Sequence, residues 1–536
     1  MSSKGKSTKP TPKPTPKPKK PKTKTPKTKK TKTKESKGTQ EPKEEGLKFI
    51  DLFCGIGGFH YALTLTDDNK THTKNKCVLA CDINKECRAT YKDNFNLEPT
   101  DDVTKLENEE VPDFDILCAG FPCQPFSNGG KKKSFKDARG NLFEEIIRIA
   151  KCKKPSFMFL ENVKHILKVD NGNVFKTILT KLREIDYVVS CQTLSPHQLG
   201  IPQQRERVIF TCIKKDVYEA KYKTKPDIFA HNDTPHKTDI IVKEETKETE
   251  TTSETTETET ETTTPTTATT KAKKPKEEKF DLKLYNDFNF DLGLSSEPTM
   301  QNIYETDKEK TKKYKISDEL VDVLNAWDVM VKTVATGEKL SPTILCHEFK
   351  TIIFKAQSPI DTEVATEEEG EEGEEGKEGK EVVLEFDTAF DALVQWKKDY
   401  IQKNRPLYEK YKKQWKKWYK KHSTLLKKKE IYGKLEWQTG PKKEDDSIWK
   451  YFIQVRQSGI RVKKTNYFPT LVAIVQTPIY GVEKRYITPR ECAKLQSFPD
   501  EFKLHAKDNI AYKQFGNAVN VAVIRTITNI ILQNYN

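Results

Sequence analysis

One cysteine, Cys123, stands between two prolines in GFPCQPFS and runs into a Gly- and Lys-rich segment, SNGGKKKSFKDARG. Proline fixes φ and removes a backbone donor, so the thiol is held stiffly at the mouth of a movable loop. That setting suits nucleophilic attack better than core packing, the ordinary fate of a cysteine. Glu161 closes an apolar run in FLENV, and Arg205 and Arg207 in QQRERVIF stand two apart, on one face if the segment is a strand. In DLFCGIGGF, Gly55, Gly57 and Gly58 allow a sharp turn and the close approach of a ligand. The loop lacks the third glycine of the dinucleotide fingerprint, which disfavours a pyrophosphate. Asp82, at the end of the next apolar run in LACDIN, is placed to grip ribose hydroxyls, so the pair suggests an adenosyl cofactor. Each feature has a plainer reading by itself: a buried cysteine, a solvated acid, a surface ion pair, a tight turn.

The elements that must position these residues are visible as an alternation. The apolar runs LKFIDLFC, CVLACDI, FDILCAG, SFMFLENV, YVVSCQTL and RVIFTCI are separated by helix-like segments such as NLFEEIIRIAKC and NVFKTILTKLREI. Strand and helix in alternation predict an α/β fold with a mostly parallel sheet covered on both faces, over residues 47–214. Residues 487–536 return to a helical pattern. Between them, ISDELVDVLNAWDVMVKTV predicts an amphipathic helix and residues 385–428 one or two basic helices. In these, Leu407, Tyr411, Trp415 and Trp418 recur at near-helical spacing, a core stripe, while twelve Lys or Arg against one Glu occupy 403–429 and suit phosphates.

Composition limits what else the chain can be. Only 34% of its 536 residues are apolar, so much of it lies outside any core. The formal charge of +15 is concentrated in residues 1–34, which carry fourteen lysines and no acid. This Lys/Pro-rich tail, 1–46, is expected to be disordered, serving as a DNA-affinity extension, a nuclear address or a solubilising tail. Glu/Thr repeats in 244–278 and Glu/Gly repeats in 363–381 are expected to be disordered inserts. No run of about 18 apolar residues stands out, so no membrane partner is expected. Eleven cysteines without a CxxC pair predict neither a disulfide framework nor a metal site.

Taken in order, FIDLFCGIGGF, GFPCQPFS, DARGNLFEEI, FLENV, QQRERVIF, RECAKLQSFPDEF and QFGNAVNVAVI resemble the motifs of the DNA (cytosine-5) methyltransferases, of the prokaryotic or viral restriction-modification type. The resemblance covers 47–214 and 487–536. It implies an S-adenosylmethionine-dependent, Rossmann-like methyltransferase fold, with a target-recognition domain over 215–486. By resemblance, Cys123 attacks C6 of the target cytosine, Glu161 meets the ring at N3 and its amino group, and Arg207 holds the base carbonyl. Arg205 adds positive charge that favours the thiolate. S-adenosylmethionine is expected against Phe53, Gly55 and Gly57 at its methionine end, Asp82 at the ribose, Ile83 and Asp102 at the adenine, with Asn517 and Val519 closing the pocket. Asp82 stands where the family commonly has Glu, one methylene longer.

The partner implied is double-stranded DNA, contacted by Gln124, Ser127, Lys131, Lys132 and Lys133 on the loop after the cysteine, and by Arg456, Arg461, Lys463 and Lys464 near the end of the recognition domain. A monomer is expected inside the cell, in the nucleus of a eukaryote and otherwise in the cytoplasm. Two rival readings share the fold: a tRNA cytosine-5 methyltransferase, whose recognition region is compact, and an inactive DNA-binding regulator, which intact Cys123, Glu161 and Arg207 argue against.

Overall fold

The computed structural model describes residues 46–66, 73–122, 141–232, 281–345 and 393–535, apart from 295, 301, 341–342, 467 and 472–475. Each of the six apolar runs forms a strand: β1 Lys48–Leu52, β2 Lys76–Cys81, β3 Ile116–Ala119, β4 Phe157–Val163, β5 Tyr187–Leu194 and β6 Arg207–Lys214. They form one sheet in the order β2-β1-β3-β4-β6-β5. β2, β1, β3 and β4 pair in parallel, and β6 runs antiparallel to both β4 and β5. The expected mostly parallel sheet is therefore present, with one reversed strand.

Alternation along the strands divides the core into two layers. Phe49 faces one layer and Ile50 and Leu52 the other. The first layer is covered by α1 (Gly58–Thr64), α2 (Lys85–Phe95) and the C-terminal helices α8 (Pro489–Leu495), α9 (Asp508–Asn517) and α10 (Val521–Gln533). The second is covered by α3 (Asn141–Lys153) and α4 (Asn173–Glu184). Strands buried on both faces read as unbroken apolar runs, which is why they stand out in the sequence. Asp508–Gln533 has the length and apolar content of a membrane span. It is two helices broken at Ala518–Asn520, carrying buried Gln514, Asn520, Arg525 and Thr528 against the sheet.

Strands β7 (Phe229–His231) and β8 (Phe288–Phe290) pair antiparallel, and a second six-stranded sheet, in the order β14-β13-β11-β12-β10-β9, has a core of its own. Its strands are β9 Ile344–Leu345, β10 Lys434–Gln438, β11 Phe452–Arg456, β12 Gly459–Lys463, β13 Ile479–Tyr480 and β14 Arg485–Tyr486. Packed with it are α5 (Asp318–Thr333), which is the amphipathic helix expected there, and two basic helices, α6 (Gln395–Lys410) and α7 (Lys412–Lys427). Trp415 and Trp418 are buried in this core, and the Trp418 indole donates to the Ala326 carbonyl at 2.6 Å. The aromatic stripe is thus core, with lysines on the outer face.

Tyr218, Tyr222, Phe229, Phe288, Phe290, Met300 and Ile303 belong to the first core, and the second core begins at Ile316. Asp287 and Asn286 accept from the amides of Val189 and Cys191 on β5 at 2.7 and 2.8 Å, holding residues 281–290 to the edge of the first sheet.

Candidate active site

The glycine loop follows β1 and turns through left-handed backbone at three positions: Phe53 (φ 56°), Gly55 (φ 53°) and Gly57 (φ 87°). A non-glycine residue there is uncommon and is maintained only where the surroundings impose it. The Gly55 amide donates to Asp82 Oδ2 at 2.8 Å, and the Asn84 amide donates to Asp82 Oδ1 at the same distance. Burial pushes the Asp82 carboxyl above its ordinary range, and these two amides together with Arg88 oppose that shift. A Cβ added at Gly55 would meet no atom within 4 Å. Ile83 beside it is 80% exposed, a large apolar side chain presented to solvent at a strand end. Asp102 caps the turn that follows it: its Oδ1 accepts from the Thr104 amide at 3.0 Å and the Thr104 hydroxyl at 2.7 Å. Those bonds, with Lys105 beside it, lower its pKa.

The C-terminal segment closes against this loop. A Cβ at Gly58 would lie 2.5 Å from the Val519 carbonyl oxygen, and one at Gly120 would lie 3.3 Å from Val519 Cγ2 and 4.0 Å from Glu161 Oε2. Gly58, Gly120, Glu161 and half-buried Val519 therefore converge at the carboxyl ends of β1, β3 and β4. Asn517 is exposed on the same segment. Glu161 is 9% exposed, and its Oε1 lies 2.9 Å from Arg207 Nε in an ion pair across the antiparallel β4–β6 pair. Asn162 donates to the Phe121 carbonyl at 3.1 Å and so fixes the backbone two residues before Cys123. Cys123, Gln124, Ser127, Lys131, Lys132 and Lys133 lie outside the described residues.

Arg205 differs from expectation. β6 begins at Arg207, so the two arginines do not share a strand face. The Arg205 side chain is 2% exposed and donates to the carbonyls of Leu471 (2.9 Å), Gly516 (3.0 Å) and Ala518 (2.9 Å). Burial, then Arg207, lowers its pKa, against Glu161. Its guanidinium joins the loop before β6 to Leu471 and to the residues flanking Asn517. It ties these segments together through three backbone carbonyls.

In the second sheet, Arg456, Arg461 and Lys463 are half-buried around Glu436, while Lys464 is exposed. Asn162, Gly120 and Glu436 were not singled out in the sequence. Asn162 lies inside FLENV, so its signal was present there, whereas a lone glutamate among lysines carries none.

Compared with known proteins, residues 47–533 match the model of the C-5 cytosine-specific DNA methylases. The chain belongs to this family. As a family member it is a DNA cytosine-5 methyltransferase, similar to bacterial Type II methyltransferases. It is 29% identical to M.BanI of Aneurinibacillus aneurinilyticus over 91% of this chain and 96% of that one. With M.AluI of Cellulosimicrobium cellulans it shares 29% over 89% and 90%. Against M.HhaI of Haemophilus parahaemolyticus identity rises to 42%, over 32% of this chain and 50% of that one. The chain thus spans half the length of M.HhaI and nearly all of the other two. The Entamoeba histolytica methyltransferase EhMeth aligns over 92% of this chain and 100% of that one, with a TM-score of 0.42 and 15% identity. That degree of likeness decides nothing about substrate.

Proposed function

We propose that the enzyme methylates C5 of cytosine in double-stranded DNA, with S-adenosylmethionine as donor and a covalent adduct between Cys123 and C6 of the base. The observation that carries this reading is the Glu161–Arg207 ion pair at 2.9 Å, set at the strand ends beside Gly120 and Val519. A carboxyl group and a guanidinium so placed present one hydrogen-bonding edge of the kind a pyrimidine offers at N3, its amino group and O2. The proposed residues suit the donor too: left-handed glycine turns that leave room, a carboxylate oriented by two amides, and an exposed isoleucine next to it. Phe53, Gly55, Gly57, Asp82, Ile83, Asp102, Asn517 and Val519 would hold it. When bound, S-adenosylmethionine supplies a methyl group activated by its sulfonium.

The chain's own groups do the remainder. C5 of cytosine is too electron-poor to accept a methyl group unaided. Addition of the Cys123 thiolate forms an S–C6 bond and moves an electron pair toward C5 and N3. Glu161 meets the charge at N3 with a proton or hydrogen bond, and Arg207 holds the base oxygen. After methyl transfer a base removes the C5 proton, the electron pair re-forms the C5–C6 double bond, and the thiolate leaves. The ring is inaccessible inside a duplex, so the base must be flipped out at a cost of a few kcal/mol. The bacterial relatives favour a cytoplasmic setting over a nuclear one.

The test is transfer of labelled methyl groups to duplex DNA and to RNA by wild type and Cys123→Ser. DNA should be labelled, the variant should keep cofactor binding and lose turnover, and a 5-fluorocytosine duplex should trap the wild type covalently. Labelling of RNA alone, or turnover by the variant above a few per cent, would sink the proposal.

A further inference from the structure

Val519 stands where three parts of the candidate active site meet. Its carbonyl oxygen faces Gly58 at the start of α1, and its Cγ2 faces Gly120, which adjoins Glu161. It belongs to a break, Ala518–Asn520, between α9 and α10. Backbone outside a helix or sheet is placed by the side chains and segments that pair with it. From one side the Arg205 guanidinium holds the carbonyls of Gly516 and Ala518. From the other, the break is held by Asn520, which is 5% exposed.

The Asn520 side chain works in two directions. Its Oδ1 accepts from the Val523 amide at 3.1 Å, which caps the first turn of α10. Its Nδ2 donates to the Leu495 carbonyl at 3.1 Å and to Gln496 Oε1 at 3.4 Å, at the end of α8. Gln496 is fully buried, and its own side-chain amide donates to the Phe515 carbonyl at 2.8 Å. The two side chains therefore span the break and attach the residues on either side of it to one helix terminus. That terminus is itself fixed. Ser497 follows it with φ 62°, a left-handed value that a serine keeps only where its surroundings impose it, and the Ser497 hydroxyl donates to Asn520 Oδ1 at 3.4 Å. A helix cap needs only the acceptor. The donor half of Asn520 serves α8 and has no part in capping.

We propose that Asn520 is a positioning residue for methyl transfer: through Gln496 and the Leu495 carbonyl it sets Val519 between the cofactor loop and Glu161, and so sets the approach of methyl donor to base. The inference rests on the function proposed above and deepens it with a residue that acts through Val519. Misplacement by about 1 Å costs on the order of a hundred-fold in rate. The backbone bond from the Val521 amide to the Gln496 carbonyl, 3.1 Å, does not depend on either side chain, so loss of the Asn520 tether should loosen the break without releasing α10.

Asn520→Ser separates the two halves of the side chain. Serine caps helices about as well as asparagine, but its single short hydroxyl cannot also hold α8. Gln496→Met, which keeps the volume, removes the other half of the attachment. Thermal unfolding, calorimetric titration with S-adenosylmethionine, duplex binding by anisotropy and single-turnover methyl transfer at saturating cofactor and DNA are measured for wild type, both variants and their combination. Asn520→Ser should unfold at the wild-type temperature and bind duplex as wild type does, while cofactor affinity and the single-turnover rate each fall about ten-fold. The combination should lose no more rate than the worse single variant, because both residues serve one attachment. Wild-type rate and cofactor affinity in Asn520→Ser would overturn the proposal. So would a rate loss that comes with a lower unfolding temperature, which would mean a structural residue only, losses that multiply in the combination, or a loss confined to duplex binding. Wild type that transfers no methyl group to duplex DNA would instead remove the function proposed above, and the cofactor titration would still decide the role of Asn520.

Discussion

Replacing Arg205 by lysine separates two roles open to the same side chain. A charge that favours the Cys123 thiolate survives the substitution. A fork that ties three carbonyls does not, because one ammonium at the end of a flexible stem cannot reproduce the planar geometry. The guanidinium makes three bonds of 2.9–3.0 Å to Leu471, Gly516 and Ala518. Bonds to a charged group are worth about 1.5–3 kcal/mol each. Loss of one or two of them costs about 2–5 kcal/mol, a large part of a typical stability of about 5–15 kcal/mol. Two of the carbonyls flank Asn517, so the loosening should weaken cofactor binding about ten-fold or more, the factor that about 1.4 kcal/mol represents. Urea denaturation followed by circular dichroism gives the first quantity, and calorimetric titration with S-adenosylmethionine the second. If the lysine variant matches wild type in both while turnover falls, the clamp argument is wrong.

Three other outcomes are expected. Asp82→Ala should weaken S-adenosylmethionine binding by about 1–3 kcal/mol, read by calorimetry, with little change in turnover at saturating cofactor. Gly58→Ala should impair cofactor affinity and stability together, because the added methyl would lie 2.5 Å from the Val519 carbonyl oxygen; a stable variant with wild-type affinity would contradict that packing. Asp51 is fully buried, and burial, then Asp82, raises its pKa well above the ordinary value, against the His60 backbone amide. A raised carboxyl costs nothing below about pH 4, where the unfolded chain also holds the proton, and loses about 1.4 kcal/mol of stability per pH unit above that until the folded group ionises. Asp51→Asn should therefore gain on wild type as pH rises from 4, in denaturation curves taken at several pH values; a constant difference would refute the assignment.

The first sheet was legible because each strand is buried on both faces and reads as one apolar run, and the turn glycines and strand-end acids follow those runs directly. The contacts of Arg205 were not legible, for a physical reason. Its partners are backbone carbonyls at residues 471, 516 and 518, and a carbonyl acceptor has no sequence signature. That Tyr218, Phe229 and Phe288 join the first core was not legible, because they are apolar in no periodic pattern that says which sheet they cover. Glu436 was passed over because its effect depends on register across β10, β11 and β12, a relation between strands and not a property of its neighbours in the chain.

The meeting of Gly58 with Val519 has a consequence for the timing of synthesis. The two positions, 58 and 519, are 461 residues apart in the chain, yet one packs on the carbonyl of the other. At roughly 5–20 residues per second, about 20–90 s separate their translation. Until the final helix leaves the ribosome the glycine turns have no lid, and the emerging polypeptide cannot hold its methyl donor well. A truncated chain released early would lack that lid permanently, so an unfinished copy is barred from marking DNA without any separate safeguard.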